Sequence, residues 1–245
     1  MQISKSNYMN FLRHPARLWV EKHDKSKIPP IDDNTQALFD AGHKFEPFAE
    51  SLFPEGVTLG FSDYDEYLSL PRRSQDAIAR GDRVLFQPRF EWNEFTCISD
   101  IVSFVEDGVV DLYEIKASTS AKIDHEFDLG FQTAVLEGTG LKVRNIYVIH
   151  VNNKYVRQGE IEADKITHIQ DITEKVRAKG ELTAKYMPIA LAIAQSDSMP
   201  DPDPALAKLG SKANWLTIYE NIFPTEPKVW PEDTKPTIDN EQITS

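Results

Sequence analysis

Apolar residues recur at helical spacing near the start of the chain. The pattern predicts a helix over residues 6–23 and, after a Pro-Pro break, a second helix from residue 34 or 35 to residue 52. Pro47 lies inside the second helix and removes a backbone donor, so we expect a bend near Glu46. The apolar steps of three and four residues predict one buried face on this helix, formed by Leu38, Gly42, Phe45, Ala49 and Leu52.

Apolar runs with the period of strands begin at Val84. Three such runs, joined by short polar turns, predict an antiparallel meander. A helix and another apolar strand follow, and this order predicts a right-handed crossover into a mixed sheet. The predicted bounds are 84–92, 96–105 and 109–117 for the meander, 125–137 for the helix, 144–151 and 155–161 for later strands, and 171–195 for a covering helix.

These elements indicate an α/β protein with a mixed sheet flanked by helices. The 245 residues, 40% hydrophobic and 27% charged, have the composition of an ordinary globular protein and can bury a full core. We expect one domain over 1–195, which includes the N-terminal helical segment. Residues 196–245 are expected to form a linker, a C-terminal segment and a partly disordered acidic tail.

Charge is spread unevenly along the chain. The 27 basic and 39 acidic residues give a net charge of -12, which argues against a protein that coats polyanions, so any contact with nucleic acid must be local. Residues 1–28 carry six basic and two acidic side chains, a balance of +4, and include aromatic residues. Alone, this segment would indicate a solvated amphipathic helix. The acidic tail over 220–245 is a candidate docking segment for a protein partner.

The single cysteine, Cys97, excludes an internal disulfide and any cysteine-ligated metal cluster held by this chain alone. No segment has the pattern of a signal peptide, and no apolar run is long enough to cross a bilayer. We therefore expect a cytoplasmic protein without a membrane partner.

The register of one hairpin decides the candidate chemistry. If residues 106–108 form a three-residue loop with a bulge and with Gly108 in the left-handed conformation, Val105 pairs with Val109 and Asp100 lies opposite Glu114. A two-residue turn would shift the pairing by one, and the apolar faces would not match. In the first register, one face carries Val102, Phe104, Val110 and Leu112 and ends in Asp100, Glu114 and Lys116.

Two carboxylates directly opposite each other repel, so a positive charge must lie between Asp100 and Glu114. A hard divalent cation such as Mg²⁺ or Mn²⁺ suits two carboxylates, and a lysine such as Lys116 can orient or deprotonate an attacking water. The simpler interpretation is that Asp100 is a polar residue at a strand start and that Glu114 and Lys116 form an exposed ion pair. The combined pattern favours a hydrolytic metal site.

With these residues the chain resembles the PD-(D/E)XK nuclease superfamily, in particular its RecB-like branch of lambda-type exonucleases and CRISPR-associated RecB-like nucleases. The likeness spans most of residues 1–160 and implies a restriction-endonuclease-like core. By this resemblance Asp100, Glu114 and Lys116 are the signature residues, and the Ile115 carbonyl joins the metal ligands. Gln132 matches the glutamine that follows the signature in the branch.

The resemblance also covers the second predicted helix. Gly42 to Glu46 is similar to the family motif whose glutamate or histidine completes the metal shell, and by spacing we prefer Glu46 over His43. The simpler interpretation of Gln132 is a helix residue that forms a hydrogen bond to a sheet end. Asp124, His125 and Glu126 more simply cap the crossover helix.

The chain departs from many relatives by lacking the cysteines of an iron–sulfur cluster. His14 stands before Pro15 where a cysteine would be, so a cluster cannot be built. We hypothesise that packing of Trp19 and Trp215 replaces the cluster as a staple.

The resemblance implies a Mg²⁺- or Mn²⁺-dependent nuclease, with DNA favoured as substrate. The alternative function is a catalytically silent module of the same fold that binds nucleic acid or a protein. The local phosphate contacts are expected from Lys5, Arg13, Arg17 and Lys22.

Overall fold

A computed structural model describes residues 1–207, 209 and 212–224. It divides into two compact units, one formed by Met1–Pro30 with the described part of Glu181–Ser245, the other by Ile31–Gly180. This division differs from the predicted boundary at residue 195, because the chain leaves the sheet-containing unit at Gly180. Most of the acidic tail predicted for 220–245 lies outside the described residues.

The described chain is a mixed α/β protein, as predicted. Short 3₁₀ turns occupy Lys25–Lys27 and Pro204–Leu206. In chain order the helices and strands are β1 (Ile3–Ser4), α1 (Lys5–Arg13), α2 (Pro15–His23), α3 (Asp33–Glu50), β2 (Val57–Thr58), α4 (Tyr64–Arg80), β3 (Val84–Phe86), β4 (Arg89–Trp92), β5 (Phe95–Ile98), β6 (Ile101–Glu106), β7 (Val109–Lys116), α5 (Ile123–Gly138), β8 (Lys142–Val151), α6 (Ala163–Ile166), β9 (Thr167–Asp171), α7 (Thr173–Arg177), α8 (Gly180–Gln195) and α9 (Lys212–Ile222).

The unit Ile31–Gly180 is built on a sheet with the strand order β2-β3-β6-β7-β8-β9. Strands β3, β6 and β7 pair antiparallel, which confirms the predicted meander. Strand β8 pairs parallel with β7 after the connection through α5, which confirms the crossover into a mixed sheet. Strand β9 then pairs antiparallel with β8.

Two of the predicted meander strands are each broken in the middle. Gln87 has a φ of +54° and Pro88 has no N–H, so the chain cannot continue β3 beyond Phe86. The breaks are joined by hydrogen bonds from Gln87 N–H to the Asp100 carbonyl (3.0 Å) and from Ser99 N–H to the Pro88 carbonyl (3.1 Å). Strands β4 and β5 consequently form a hairpin of their own between β3 and β6.

Two other predictions are wrong in detail, and one helix was not predicted. Residues 155–161 form no strand, since Gly159 adopts a φ of +88° and the segment is mostly exposed; β9 takes the place of that strand. The helix predicted over 171–195 is divided into α7 and α8, and a glycine at the start of α8 favours the break. Helix α4 was not predicted.

The hairpin of β6 and β7 has the predicted register. Val102 pairs with Leu112 and Phe104 with Val110. Gly108 has the predicted left-handed conformation, with a φ of +73°, and a bulge is present as predicted. The pair next to the turn is Glu106 with Val109, however, so the predicted three-residue loop is wrong. The loop has two residues, and a bulge at position 105 absorbs the difference.

The sheet is covered by different helices on its two faces. Phe45 and Ala49 of α3 pack on the face that carries Ile101, Ile115 and Ile149. Residues of β7 at even positions point to the other face, where α5 lies. On α3 the predicted buried face is too long: Leu38 is 70% exposed, because the first half of the helix extends past the core.

Strand β8 contains a bulge opposite Asp111 of β7. Val110 pairs with Val143, whereas Leu112 pairs with Ile146, so β8 gains one residue between these pairs. At this bulge the Asp111 carboxylate accepts hydrogen bonds from the Arg144 side chain (2.6 and 3.0 Å) and from the Asn145 backbone N–H (3.1 Å).

In the other unit, the predicted helix over 6–23 is two helices. His14 between α1 and α2 is extended, with φ of -162°. Pro15 begins α2, where its missing N–H costs no helical hydrogen bond. The His14 ring caps α2, because Nδ1 accepts a hydrogen bond from Ala16 N–H (3.1 Å).

Both tryptophans named in the staple hypothesis make contacts within this unit. Trp215 is buried and stacks on the His14 ring, with 4.2 Å between centroids and 5° between planes. Since His14 Nδ1 accepts a hydrogen bond, its Nε2 donates to the Asp203 carbonyl (2.9 Å). Trp19 donates to the Ser196 carbonyl (2.8 Å). These contacts join the first helices of the chain to its C-terminal segment.

Candidate active site

Glu114 is the centre of a polar cluster on the α5 face of the sheet. Its side chain is only 1% exposed. The preceding residues of β7 on this face, Val110 and Leu112, are apolar and buried. Lys116 Nζ lies 2.5 Å from Glu114 Oε1, and Gln132 Nε2 donates to Glu114 Oε2 at 2.7 Å. Both carboxylate oxygens are therefore paired, as a buried charge requires.

Asp128 completes this cluster from α5. Gln132 Nε2 also donates to Asp128 Oδ1 (2.9 Å), and Lys116 Nζ lies 3.4 Å from Asp128 Oδ2. The amide and the ammonium thus each connect the same two carboxylates. The positions four residues apart on α5 place Asp128 and Gln132 on one helix face.

Asp100 lies just before β6, at the same end of the hairpin. Its Oδ2 accepts a hydrogen bond from the Ile115 backbone N–H at 2.7 Å. The pair Ile101–Tyr113 is the last one in the ladder, and the next step of this register places Asp100 opposite Glu114. The predicted signature residues Asp100, Glu114 and Lys116 are therefore brought to one end of the hairpin, with Gln132 beside them.

The cluster carries more negative than positive charge. Glu114 and Asp128 contribute two carboxylates and Lys116 one ammonium, and Asp100 at the same end of the hairpin adds a third carboxylate, so the balance of these four residues is -2 when all are charged. The nearby His125 does not change this balance at neutral pH, since burial and the Lys116 charge lower its pKa to about 4. A divalent cation would neutralise the remaining charge.

The Gln132 side chain has one polar atom without a hydrogen-bond partner among the described residues. Its side chain is fully buried, and both N–H groups are used on carboxylates, but Oε1 has no hydrogen-bond partner within the described part of the chain. A buried acceptor without a donor is costly, typically about 1–3 kcal/mol. A metal-bound water or a substrate hydroxyl would supply the missing donor.

The residues present fit a hard divalent cation by their chemistry, since carboxylate oxygens are the ligands that Mg²⁺ and Mn²⁺ prefer. Across the described residues, no three His, Cys, Asp or Glu side chains are close enough to hold an ion together. Glu46 lies on α3, which packs on the opposite face of the sheet from the Glu114 side chain, and it interacts with Glu50. Its role as a ligand, like that of the Ile115 carbonyl, stays a prediction.

The predicted phosphate-binding residues lie on α1 and α2 in the other unit. Arg13 donates to the Asn10 side chain (2.9 Å), and Lys22 donates to the Gln2 carbonyl (3.1 Å). Burial lowers the pKa of Arg17 and of Lys22, so both side chains are less solvated than free surface cations. Lys5 is half-buried. Their contact with nucleic acid stays a prediction.

Asp128 was not among the predicted site residues, and His125 was assigned only a capping role. His125 does cap α5, since its Nδ1 accepts a hydrogen bond from Lys122 N–H (3.2 Å). Asp128 could have been found from its spacing, because a carboxylate four residues before Gln132 shares the face of an amphipathic helix. Its meeting with Lys116 depends on how α5 crosses the sheet, which the sequence does not give.

His125 predicts a dependence of stability on pH. Its folded pKa of about 4 lies below the unfolded value of 6.5, so the unfolded chain binds the proton more readily. Stability should be fully present above pH 6.5 and be lost as the pH falls towards 4, by up to about 3 kcal/mol. Urea unfolding at pH 7.5 and pH 5 should show a smaller loss in His125→Gln than in the wild type. An equal loss would contradict the assignment.

No protein-family model matches the chain, and no curated protein sequence matches it either. The likeness to PD-(D/E)XK nucleases therefore stays a prediction from the residues of the sequence. Among the described helices, none combines the length and the apolar character that a bilayer-spanning segment needs.

Proposed function

We propose that the chain is a divalent-metal-dependent nuclease of the PD-(D/E)XK type that hydrolyses phosphodiester bonds, with DNA as the favoured substrate. The observation that carries this proposal is the buried Glu114 carboxylate, which Lys116 and Gln132 hold at the end of a hairpin where the register also brings Asp100. A buried, charged cluster at a strand end costs stability, and catalysis gives a reason to keep it.

Asp100, Glu114 and the Ile115 carbonyl are the groups that would hold the cation. When bound, such an ion lowers the pKa of a coordinated water and stabilises the extra charge on phosphate. Asp100 is prepared for this role because the Ile115 N–H fixes one of its oxygens. Glu114 is fixed at both oxygens, so it needs little reorganisation.

Lys116 would orient the attacking water and stabilise charge on the phosphate. A lysine between two carboxylates is most stable as the ammonium, and an ammonium donates hydrogen bonds but cannot accept a proton. Its contacts to Glu114 and Asp128 direct Nζ towards the carboxylates. Gln132 positions both of those carboxylates, and its free Oε1 would accept a hydrogen bond from water or substrate.

The direct test is a cleavage assay with single- and double-stranded DNA and RNA, with Mg²⁺ or Mn²⁺ and with a chelator. We expect cleavage only with the divalent cation. DNA cleavage above RNA cleavage would support the favoured substrate. Absence of cleavage on all four substrates with either metal would refute the proposal.

Metal binding should also stabilise the protein in the absence of nucleic acid. An ion that binds only the folded state stabilises it by about 2.7 kcal/mol at a hundred times its Kd. For a protein of this size that corresponds to a rise in Tm of about 5–10 °C. Calorimetry should show this rise with MnCl₂ but not with NaCl of equal ionic strength, and a smaller rise in Asp100→Asn. An equal rise in this variant would place the ion elsewhere.

A catalytically silent nucleic-acid-binding module is the second candidate. The observation that favours it is the direct pairing of Lys116 with Glu114, because the lysine already neutralises the buried carboxylate without a metal. Such a module should bind labelled DNA in a chelating buffer and leave it intact after addition of Mg²⁺ or Mn²⁺. Fluorescence anisotropy followed by gel analysis of the same sample separates the two candidates.

A further inference from the structure

Two histidines form a pair across the last two strands of the sheet. His150 of β8 pairs directly with His168 of β9. Their ring centroids are 5.0 Å apart, and the planes meet at 47°. Directly paired residues point to the same face of a sheet, so the two imidazoles are neighbours by register as well as by distance.

The hydrogen bond of His150 indicates which nitrogen is available. Its Nδ1 lies 3.1 Å from the Val151 carbonyl oxygen, which can only accept a hydrogen bond. Nδ1 is therefore the protonated nitrogen in the neutral ring, and Nε2 carries the free lone pair. Metal-ligating histidines have this arrangement, in which one ring nitrogen donates to a carbonyl and the other binds the ion.

The separation of the rings fits a shared ion. A ligand nitrogen lies about 2.0–2.1 Å from Zn²⁺, so two imidazoles on one tetrahedral ion have centroids about 5 Å apart. His150 is 6% exposed and supplies a fixed ligand, whereas His168 is exposed and keeps the pair open to solvent. Water would complete the coordination shell.

Three other histidines use ring nitrogens in hydrogen bonds to the protein backbone. His14 uses both ring nitrogens, His23 bonds to the Ala194 carbonyl, and His125 accepts from the Lys122 N–H. His43 is exposed on α3. The pair of His150 and His168 is thus distinguished by its geometry, and His43 offers a matched control.

We propose that His150 and His168 form a binding site for a transition-metal ion of the Zn²⁺ class. Imidazole nitrogens select Zn²⁺, Ni²⁺ or Cu²⁺ over Mg²⁺, which prefers oxygen ligands. The site is distinct from the carboxylate cluster and does not depend on the proposed nuclease function. The histidine pair lies on the same face of the sheet as the carboxylate cluster, since His150 pairs with Lys116 of β7.

The test is isothermal titration of the full, metal-stripped chain with ZnCl₂ in excess MgCl₂, which occupies oxygen-ligand sites. The wild type should bind one Zn²⁺ per chain. His168→Gln should raise the Kd for Zn²⁺ at least about tenfold. Loss of a residue that only hydrogen-bonds to a metal ligand already lowers metal affinity by about that factor, and His168 is a ligand itself. His43→Gln should leave the Kd unchanged.

A second measurement keeps the test independent of folding defects. Long-range ¹H–¹⁵N spectra of the wild type should show Zn²⁺-dependent shifts at ring nitrogens of His150 and His168. An unchanged Kd in His168→Gln, or an equal rise in both variants, would overturn the site. Because no nucleic acid is present, these outcomes are separate from success or failure of the cleavage assay.

Discussion

Asp100→Asn should reduce metal-dependent phosphodiester cleavage at least about a hundredfold, as expected for loss of one group that stabilises transition-state charge. The substitution removes the negative charge but keeps an oxygen that can accept the hydrogen bond from the Ile115 N–H. The hairpin should therefore stay folded while its affinity for the cation falls. Single-turnover cleavage at saturating Mn²⁺, compared with the Tm of each protein, measures the two effects separately.

Asp107→Asn is the matched control, because Asp107 is an almost fully exposed carboxylate in the loop of the same hairpin. It should cleave like the wild type. Lys116→Ala should also abolish cleavage, but it removes a partner of the buried Glu114 and should lower the free energy of unfolding as well. Cleavage by Asp100→Asn within about threefold of the wild type would refute the assignment of this residue.

Trp215→Ala should lower the free energy of unfolding by about 3–5 kcal/mol, the usual cost of removing a buried tryptophan side chain. Trp215 is buried against Ala16 and Val20 and stacks on His14, so the deletion leaves a cavity between segments far apart in the chain. Urea unfolding followed by circular dichroism measures the change. The indole N–H bond to the Pro202 carbonyl would be lost as well.

Leu206→Ala serves as the control in the same unit. Leu206 is a partly exposed apolar residue, so its truncation should cost less than about 1 kcal/mol. If Trp215→Ala changed the unfolding free energy no more than this control, the tryptophan would not act as the staple that replaces a metal cluster.

The register of β6 and β7 could be predicted because it depends on a pattern that repeats. Val102, Phe104, Val110 and Leu112 match across the strands in only one alignment, and burial of all four enforces it. The bulge beside the turn was predicted, but its position and the loop length were not, since the apolar pattern fixes neither. Gly108 takes the left-handed conformation in the turn, and the bulge at position 105 makes the two-residue loop compatible with the apolar register.

Breaks inside apolar runs were harder to predict. The apolar residues on either side of Gln87 form one continuous pattern, and only the left-handed conformation before Pro88 divides them between two pairs of strands. Helix α4 was missed because its buried residues are few, namely Leu70, Ser74 and Ala77, and a proline lies among them. Asp128 could have been placed beside Gln132 from its spacing, but its contact with Lys116 could not be predicted, since that contact depends on the packing of α5.

The bulge beside Asp111 has an effect several residues further along β8. Without the extra residue in β8, the pairing of Val110 with Val143 would continue unchanged along the two strands. Lys116 would then pair with Ile149 instead of His150. A single carboxylate that accepts from Arg144 and Asn145 thus selects which side chain stands next to the lysine at the far end of the ladder. A mutation at Asp111 that removed the bulge would therefore change the residue that pairs with Lys116, further along β7.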